Sequence, residues 1–261
     1  MKYIALNGAG GRMSSIIALK LLGCDNLAVT EAFDSPDSKS TGSDLGLWCG
    51  IDKWGVTINP LDQDSDYKFN IIVDFSSPSG SLSALEYAHN NKKKFISGTT
   101  ALSDDTISKM KQYSSDIPIV YSSNMSTGIN QIKLMLQHMS DYITDKERDI
   151  EIIEYHHNKK KDAPSGTALS LAQTISELTD RPVNNDFSVD YPRDSRIRIH
   201  SIRAGSFSGI HSIIISSPDE TMEIRHTAHS RETFANGVIK AINFIADKES
   251  GLYSMTDVLG G

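Results

Sequence analysis

A single short segment carries most of the residues in this chain that could move a proton or bind an anion. It runs from His156 to Ala168 and contains two adjacent histidines, three adjacent lysines and a serine that can begin a helix. A histidine ring titrates near neutral pH, so it can give or take a proton. Lysines supply positive charge or a titratable ammonium group. Together these residues predict a site that binds an anion and transfers protons beside it.

The same segment contains the expected start of a helix. Ser165 is a favourable N-cap for a helical run from Thr167 to Leu178, and Pro164 and Gly166 fit the turn that leads into it. The first amides of such a helix, those of Gly166 and Thr167, lack intrahelical acceptors. They can therefore bind a carboxylate or a phosphate.

Two simpler interpretations apply to these residues. A histidine pair alone is more often structural or solvated, and the run Lys159–Lys161 is typical of an exposed charged surface. The capped helix that follows directly favours the functional interpretation. We expect no metal here, because adjacent histidines on a loop chelate poorly and neither a cysteine nor a pair of carboxylates is nearby in the sequence.

The N-terminus has the pattern of a dinucleotide-binding unit. A short apolar strand, Lys2–Leu6, leads into a glycine-rich loop and then an apolar helix that continues to Leu22. The loop consists of Gly8, Ala9, Gly10, Gly11, Arg12 and Met13. Its first two glycines fit G-x-G-x-x-G, in which small residues let the backbone approach a pyrophosphate, whereas Met13 takes the third position. An ordinary βαβ unit of another α/β protein is the alternative.

A second apolar run, Leu27–Phe33, ends at Asp34. An acidic side chain at about this distance from the glycine loop can bind the adenosine ribose. We therefore expect Asp34 to belong to the same dinucleotide site.

Composition excludes several classes of function. The chain has 261 residues and a formal charge of −7, and its isoelectric point is near 5.6, which argues against a nucleic-acid surface. No apolar run approaches the roughly 20 residues that span a membrane, and Met1-Lys2 leads directly into the first strand, so we expect no signal peptide. Cys24 and Cys49 have no metal-binding spacing and suggest free structural thiols in a reducing cytoplasm.

The pattern up to about Tyr121 alternates strands and helices, which predicts a doubly wound parallel sheet. Ligands bind such sheets beyond the carboxyl ends of the strands. Two turns lie at such ends and are expected to contact a cofactor: Gly98, Thr99 and Thr100 in the first, and Ser122, Ser123, Asn124 and Met125 in the second.

After a predicted helix from Gly128 to Ile143, strands dominate. The predicted strands are Ile150–Tyr155, Ser188–Tyr191, Arg196–Arg203, His211–Ser216 and Thr221–His229. Polar and apolar residues alternate in two of them, which indicates a sheet with one packed face and one polar face. The open face could meet solvent or another subunit. A last amphipathic helix is expected over Thr233–Ala246, and Asp180–Asp186 is expected to be a surface loop.

The segment Glu154–Ala168 closely resembles the signature E-x-H-H-x-x-K-x-D-A-P-S-G-T-A of the dihydrodipicolinate reductase family. The loop Gly8–Met13 resembles that family's cofactor loop, and Gly98–Thr100 resembles its GTT turn. Three further segments fit the family pattern: Ser123–Asn130, Arg203–Gly205 and Ser230–Gly237. The resemblance covers almost the whole chain in order.

The resemblance implies an α/β fold with two domains. Residues 1–125 and 232–261 would form a Rossmann-like doubly wound dinucleotide-binding domain. Residues 126–231 would form an α+β domain with a mixed sheet for substrate binding and oligomerisation. Family members are typically cytoplasmic homotetramers whose substrate-domain sheets associate. The implied reaction is reduction of 4-hydroxy-tetrahydrodipicolinate by NADH or NADPH, with a small-molecule dicarboxylate substrate and no nucleic-acid or membrane partner.

Residue roles follow by position in the family pattern. His156 matches the general acid/base, Lys160 the proton donor and His157 a substrate contact, while Gly166 and Thr167 match carboxylate ligands. Negative charge that develops on the substrate ring during hydride addition would be quenched by a nearby ammonium and proton donor. Lys159, Lys161 and Arg231 keep no assigned role.

One departure from the family bears on cofactor choice. In several relatives an arginine directly follows the ribose-binding acid and can hold the 2′-phosphate of NADP. Here Ser35 follows Asp34, and Lys39 is the nearest cation downstream. Because the Asp34 carboxylate would also repel the phosphate, we expect a preference for NADH.

Two other functions are compatible with part of the sequence. A different two-domain nicotinamide enzyme, such as an aspartate or homoserine dehydrogenase, would explain the N-terminal half but would not require the segment Glu154–Ala168. A non-catalytic dinucleotide-binding sensor should lack a proton donor such as Lys160 beside His156.

Overall fold

The computed structural model describes residues 1–184 and 193–260. The chain forms two compact units. Unit 1 consists of Met1–Thr127 and Phe234–Gly261, and unit 2 consists of Gly128–Thr233. Both boundaries fall two residues later than the domain boundaries expected from the sequence.

The strands, in chain order, are β1 (Lys2–Asn7), β2 (Leu27–Phe33), β3 (Ile58–Asn59), β4 (Ile71–Asp74), β5 (Lys94–Ser97), β6 (Pro118–Tyr121), β7 (Asp149–His156), β8 (Val183–Asn184), β9 (Ile197–Arg203), β10 (Ile210–Ser216), β11 (Thr221–Thr227) and β12 (Gly251–Tyr253). The helices are α1 (Arg12–Leu22), α2 (Leu45–Trp48), α3 (Pro78–Asn90), α4 (Asp104–Tyr113), α5 (Thr127–His138), α6 (Ser140–Ile143), α7 (Gly166–Thr179), α8 (Glu232–Ile245) and α9 (Met255–Val258).

Unit 1 is built on a seven-stranded sheet in the order β12-β6-β5-β4-β1-β2-β3, in which every pairing is parallel. The chain moves outward from β1 in one direction through β2 and β3, and in the other through β4, β5 and β6. The strand order therefore reverses beside β1, which is the position where open α/β sheets bind ligands. The Rossmann-like fold class is confirmed.

Buried apolar side chains cover both faces of this sheet, as expected for parallel strands. One cluster includes Ile4, Ile17 and Val238, so the C-terminal helix α8 packs with α1 on the same core. The other includes Phe33, Leu85 and Phe95, on the side of α3 and α4. The carboxyl ends of the strands are thereby held in a fixed arrangement.

Local chemistry explains two differences from the predicted helices. Helix α3 begins at Pro78, three residues before the predicted start, because the side chain of Ser77 accepts a hydrogen bond from the amide of Gly80 and caps the helix. The single helix predicted over Gly128–Ile143 is divided into α5 and α6 at Met139, whose ψ of 14° departs from helical geometry.

Unit 2 is built on a five-stranded mixed sheet in the order β11-β10-β7-β9-β8. Strand β10 is antiparallel to β7 and β11, whereas β9 is parallel to β7 and β8. Apolar side chains of α5 and α7, such as Ile132 and Leu171, pack with Ile152, Ile199 and Ile213 on one face of the sheet. The mixed sheet expected for this part of the chain is confirmed.

The remaining differences lie in short or terminal segments. Strand β8 falls within the predicted loop Asp180–Asp186, and β11 ends at Thr227, two residues before the predicted end. The predicted strand Ser188–Tyr191 lies outside the described residues. Among the residues that the structure describes, no helix combines the length and apolarity needed to cross a membrane.

Candidate functional site

Strand β7 places Glu154 and His156 on the same face of the unit 2 sheet, because residues two apart in a strand point the same way. That face also carries the apolar core side chains Ile150 and Ile152, so the polar pair continues the core toward the end of the sheet. Nδ1 of His156 forms a hydrogen bond with Oε2 of Glu154. The carboxylate therefore fixes one ring nitrogen of His156 and leaves Nε2 for other chemistry.

Arg203 completes this pair from the neighbouring strand, since it lies opposite His156 in the β7–β9 register. Its Nη1 donates to Oε2 of Glu154 at 2.9 Å and its Nη2 donates to Oε1 at 2.6 Å. Nη2 also donates to the carbonyl oxygen of Asp162 at 2.7 Å. The guanidinium thus joins the carboxylate of Glu154 to the loop that contains Lys160.

The Glu154 side chain is completely buried, and burial alone would raise the pKa of its carboxyl. Hydrogen bonds from His156 and Arg203 outweigh that effect and hold the pKa well below its usual range. Glu154 is therefore a permanent negative charge beside His156 at neutral pH. The contact of Nδ1 with this carboxylate orients the ring of His156.

The N-terminus of α7 is attached to the same carboxylate. The amide of Ser165 donates to Oε1 of Glu154 at 3.2 Å, and the Ser165 side chain caps the helix by accepting from the amide of Ala168 at 3.2 Å. Oγ of Ser165 also lies 3.2 Å from Nε2 of His211. The start of α7 is therefore held by two buried side chains of the sheet.

His211 is buried next to His156, with the two ring centroids 5.3 Å apart. Burial, together with the nearby His156, lowers the pKa of His211 to about 4. The ring is consequently neutral at physiological pH. It contributes hydrogen bonding and packing at the site without adding a positive charge.

Four of the residues predicted from the sequence lie on the loop after β7 or at the first turn of α7. Nζ of Lys160 forms an ion pair with Oδ2 of Asp162 at 2.8 Å. The backbone amide of His157 donates to the carbonyl of Phe207 at 3.0 Å. Gly166 is exposed at the first helical position of α7, and Thr167 follows it half-buried. The structure thus brings these residues to the end of the sheet at which His156 lies.

Glu154, His156 and His211 also have the chemistry of metal ligands, with their donor atoms within 4.8 Å of one another. Both carboxylate oxygens of Glu154, however, already accept hydrogen bonds from Arg203. The guanidinium supplies the positive charge that a metal would bring and would repel a second cation. We interpret the cluster as a hydrogen-bonded acid/base network.

Three residues of this cluster were not predicted as site residues from the sequence: Glu154, Arg203 and His211. A signal existed for Glu154, because it stands two residues before His156 in a predicted strand and so must share its face. Arg203 and His211 lie 47 and 55 positions after His156, and they reach the site only through the registers of β9 and β10 on β7.

Unit 1 has a cavity of about 520 Å³ at the carboxyl ends of β1, β2 and β4. Of the predicted cofactor residues, Gly8, Gly11 and Asp34 line it. Gly8 has a φ of +77°, and a Cβ at this position would lie 2.6 Å from the carbonyl oxygen of Phe75. The glycine is therefore required for the backbone to run this close to the turn after β4.

The cavity fits a dinucleotide. Gly11 caps α1 without a side-chain hydrogen bond, so the first amides of that helix face a position suited to a phosphate. Oδ2 of Asp34 accepts from the amide of Gly10 at 2.7 Å and from Oγ of Ser40 at 3.0 Å. Oδ1 of Asp34 accepts one bond, from the amide of Ser35 at 2.8 Å, and has a lone pair that can accept from a ribose hydroxyl.

The other predicted cofactor residues are placed differently. Ala9 and Met125 are buried in the core of unit 1, so only their backbones could meet a ligand. Arg12 is exposed at the start of α1, Met13 packs partly on the core, and the residues of the two predicted turns lie outside the cavity lining. The cavity lining also includes residues that were not predicted from the sequence, among them Ser76, Ser77, Pro36, Pro60 and Leu61.

The chain matches two family models that together cover nearly its full length. Residues 2–125 match the model for the N-terminus of dihydrodipicolinate reductase. Residues 128–259 match the model for the C-terminus of the same family.

Curated relatives agree with this match. A 4-hydroxy-tetrahydrodipicolinate reductase of Buchnera aphidicola subsp. Acyrthosiphon pisum (strain 5A) is 36% identical over 98% of this chain and 97% of its own length. The enzyme of the same name from Syntrophus aciditrophicus (strain SB) is 33% identical, with 98% of this chain and 97% of that protein covered.

Solved structures share the fold. The dipicolinate-bound dihydrodipicolinate reductase from Paenisporosarcina sp. TG-14 superposes with a TM-score of 0.78 at 22% identity, covering 97% of both chains. An amine dehydrogenase from Mycobacterium smegmatis superposes with a TM-score of 0.66 at 12% identity, covering 98% of this chain and 95% of that one.

The neutral state of His211 generates a prediction about stability. The unfolded chain binds a proton at His211 near pH 6.5, whereas the folded chain binds it only near pH 4. The contribution of this group to the free energy of unfolding is therefore complete above pH 6.5. It is lost as the pH falls toward 4, and the loss is on the order of 3 kcal/mol. We expect His211→Gln to lose less stability than the wild type across that interval, measured by urea unfolding at stepped pH.

The matched control is His138→Gln, at the exposed end of α5, which should keep the pH dependence of the wild type. Parallel curves for the wild type and His211→Gln would show that His211 is not held neutral in the folded protein.

Proposed function

Because this chain belongs to the dihydrodipicolinate reductase family, we propose how its two units divide the reaction of that family. The chain is an oxidoreductase that reduces 4-hydroxy-tetrahydrodipicolinate to tetrahydrodipicolinate and water with a hydride from a reduced pyridine nucleotide, a step of diaminopimelate and lysine biosynthesis. We assign the dinucleotide to unit 1 and the substrate to unit 2. The alternatives of another amino-acid dehydrogenase or a non-catalytic sensor are set aside, because both family models match.

The cavity in unit 1 is the proposed cofactor site. The loop of Gly8 and Gly11 would hold the pyrophosphate, and Asp34 would accept from the adenosine ribose. The pyridine nucleotide supplies the hydride when it is bound. The residues of unit 1 would orient the nucleotide and supply the polar and charged groups that contact it. We also propose the turns Gly98–Thr100 and Ser122–Met125, and Arg12 of the glycine loop, as cofactor contacts.

His156 is the proposed general acid/base. Its Nδ1 is held by Glu154, so proton exchange with the substrate falls to Nε2. A Cβ on Gly209 would lie 3.3 Å from that nitrogen, so the absence of a side chain there keeps space beside it. The fixed charge of Glu154 stabilises the imidazolium that forms when His156 takes up a proton.

Lys160 is the proposed proton donor to the reduced ring. Its ammonium group is positioned by Asp162, whose carbonyl oxygen is in turn held by Arg203. Hydride addition places negative charge on the conjugated imine system, and a proton from the ammonium neutralises it. The net reaction consumes one proton and releases the hydroxyl group of the substrate as water.

The first turn of α7 is the proposed site for a substrate carboxylate. The amides of Gly166 and Thr167 stand at the helix N-terminus, where the helix dipole also favours an anion. The Paenisporosarcina reductase was solved with dipicolinate, a dicarboxylate, which supports a ligand of this class. His157 is the proposed additional contact to the substrate.

One observation carries this assignment: a single buried carboxylate joins the acid/base residue to the anion-binding helix. Glu154 contacts His156 with Oε2 and the amide of Ser165 with Oε1. The nitrogen that exchanges protons and the amides that would bind the carboxylate are therefore fixed relative to each other. Such preorganisation is what general acid/base catalysis requires.

We predict that His156→Ala and Lys160→Ala each lower kcat by about 10²-fold or more, because each removes a proton-transfer group. NADH binding should stay within about twofold of the wild type, since both residues lie in unit 2. Turnover is measured by absorbance at the nicotinamide band, with substrate freshly generated from pyruvate and aspartate semialdehyde.

The matched control is Lys159→Ala, an exposed neighbour in the same loop, which should keep most of the activity. Full turnover in both site variants would overturn the assignment of His156 and Lys160. No substrate-dependent oxidation by the wild type, despite NADH binding, would overturn the reductase activity itself.

We further propose that the enzyme prefers NADH. None of the residues that line the described cavity is a lysine or an arginine, and Asp34 and Ser35 stand where a 2′-phosphate would be held. A carboxylate about 4 Å from a phosphate costs on the order of 1 kcal/mol or more, depending on the local dielectric constant. The proposal thus depends on a repulsion and on the lack of a cation in the cavity.

We expect kcat/KM for NADH to exceed that for NADPH by about tenfold. Asp34→Asn should shrink this ratio, because the amide keeps an acceptor for Gly10 and removes the repulsion. Asp37→Asn, an exposed acid of the same loop that does not line the cavity, should leave the ratio unchanged. A wild-type preference for NADPH would contradict the proposal.

The proposed assembly is a cytoplasmic homotetramer in which the unit 2 sheet contacts other copies. The face of this sheet opposite α5 and α7 carries Ile153, Tyr155 and Ile214, all half-buried in the single chain, and Ile202, which is 37% exposed. Charged groups border these side chains, among them the pair of Glu151 with Arg193. An apolar centre with a charged rim is typical of a protein interface.

We predict that sedimentation equilibrium gives four times the chain mass of 28.7 kDa. Ile153→Lys should dissociate the assembly, because it places a charge in the apolar centre of the open face. Leu22→Lys, which adds the same charge at an exposed position of α1, should leave the mass unchanged. A monomeric wild type would refute the tetramer.

A further inference from the structure

Asp74 ends β4 and is completely buried, although the proton chemistry proposed above does not use it. Its carboxylate lies where the carboxyl ends of three adjacent parallel strands meet, since β4 pairs with β1 on one side and with β5 on the other. A buried acid at this edge of a ligand-binding sheet requires a physical explanation.

Four side chains donate hydrogen bonds to this carboxylate. Oδ1 accepts from Nδ2 of Asn7 at 2.8 Å and from Oγ of Ser76 at 2.5 Å. Oδ2 accepts from Oγ of Ser97 at 2.8 Å and from Oγ1 of Thr99 at 2.8 Å. Every contact therefore donates to the carboxylate, the pattern that an ionised acid accepts.

All four donors are electrically neutral. Within residues 1–184 and 193–260, Asp74 forms no ion pair with a lysine, arginine or histidine, and its polar contacts are made with neutral groups. A carboxylate removed from water without a cation is costly, and neutral donors offset the cost only in part. Among the described residues, the Asp74 carboxylate thus has no cationic side chain in hydrogen-bond or ion-pair contact.

The contacts of Asp74 join three turns. Asn7 immediately precedes the glycine loop, Ser76 lines the cavity, and Thr99 is the centre of the turn Gly98–Thr100. In a sheet with this strand order, the pyrophosphate lies at the loop after β1 and the adenosine lies over β2. The other half of a dinucleotide crosses to the side of β4 and β5, where Asp74 lies.

We propose that Asp74 is a positioning residue for the nicotinamide half of the cofactor and that its charge stabilises the oxidised, cationic form over the reduced form. Loss of a hydride turns a neutral nicotinamide ring into a cation, so a fixed negative charge on that side of the sheet favours the transfer. This inference rests on the dinucleotide site proposed above.

The experiment compares binding of NAD⁺ and NADH to the full chain without substrate, by isothermal titration calorimetry. Asp74→Asn removes the charge, and its amide oxygen can still accept from Ser97 and Thr99. We expect the ratio of the Kd for NAD⁺ to the Kd for NADH to rise about tenfold, because only the oxidised form carries the ring charge.

Ser97→Ala is the matched control, since it removes one hydrogen bond to Asp74 and keeps the charge. Both dissociation constants should then change by the same factor. The double variant Asn7→Asp/Asp74→Asn exchanges the two side chains, so the contact between positions 7 and 74 again contains one carboxylate and one amide. It should therefore restore the wild-type ratio of the Kd for NAD⁺ to the Kd for NADH. If Asp74→Asn does not fold, Asp74→Ser supplies the neutral side chain in its place.

The binding measurements distinguish failure of the dinucleotide site from failure of the role of Asp74. A wild type that binds neither nucleotide overturns the dinucleotide site itself. A wild type that binds both, with an unchanged ratio in the neutral variant, overturns the charge role of Asp74. If the neutral variant also binds both nucleotides as tightly as the wild type, the positioning role is overturned as well.

Discussion

The buried carboxylate of Glu154 is the constraint on which the arrangement of unit 2 depends. Its two oxygens connect Arg203 on β9, the imidazole of His156 on β7 and the backbone of Ser165 at the start of α7. A buried carboxylate with unfilled hydrogen-bonding positions would be strongly destabilising. Each partner is therefore held in place because the buried carboxylate must keep its hydrogen bonds. His156, the loop of Lys160 and the start of α7 are thus all positioned through this one carboxylate and its partner Arg203.

Glu154 and Asp74, the two acids that are buried among the described residues, have different partners. Glu154 is paired with the cation Arg203, which offsets its charge inside the fold. Asp74 is surrounded by neutral hydrogen-bond donors. The difference suits a chemistry in which one unit exchanges protons and the other binds a cofactor whose charge changes in the reaction.

In both units the polar residues of the site lie at the ends of strands, and the central parts of these strands are buried in an apolar core. In unit 1, residues at the ends of β1, β4 and β5 form the polar edge. In unit 2, Glu154 and His156 continue the face that carries Ile150 and Ile152. Rigid apolar packing behind the polar groups limits their motion, which is a condition for accurate positioning.

Local sequence determined the parts of this protein that depend on neighbouring residues. The strand, glycine loop and helix at the N-terminus, and the cap of α7 at Ser165, follow from short-range chemistry and were predicted near their observed positions. The family signature predicted His156, Lys160 and Gly166 as site residues because they lie in one continuous segment. The Rossmann-like fold class followed from the repeated strand-to-helix pattern.

Tertiary structure alone decided which distant residues meet. Arg203 and His211 join the site through the registers of β9 and β10 on β7, and strand pairing over such separations leaves no local pattern. The network of Asp74 likewise depends on three strands that are far apart in the chain. The depressed pKa of His211 has the same origin, because burial is a property of the packed fold and not of the residue type.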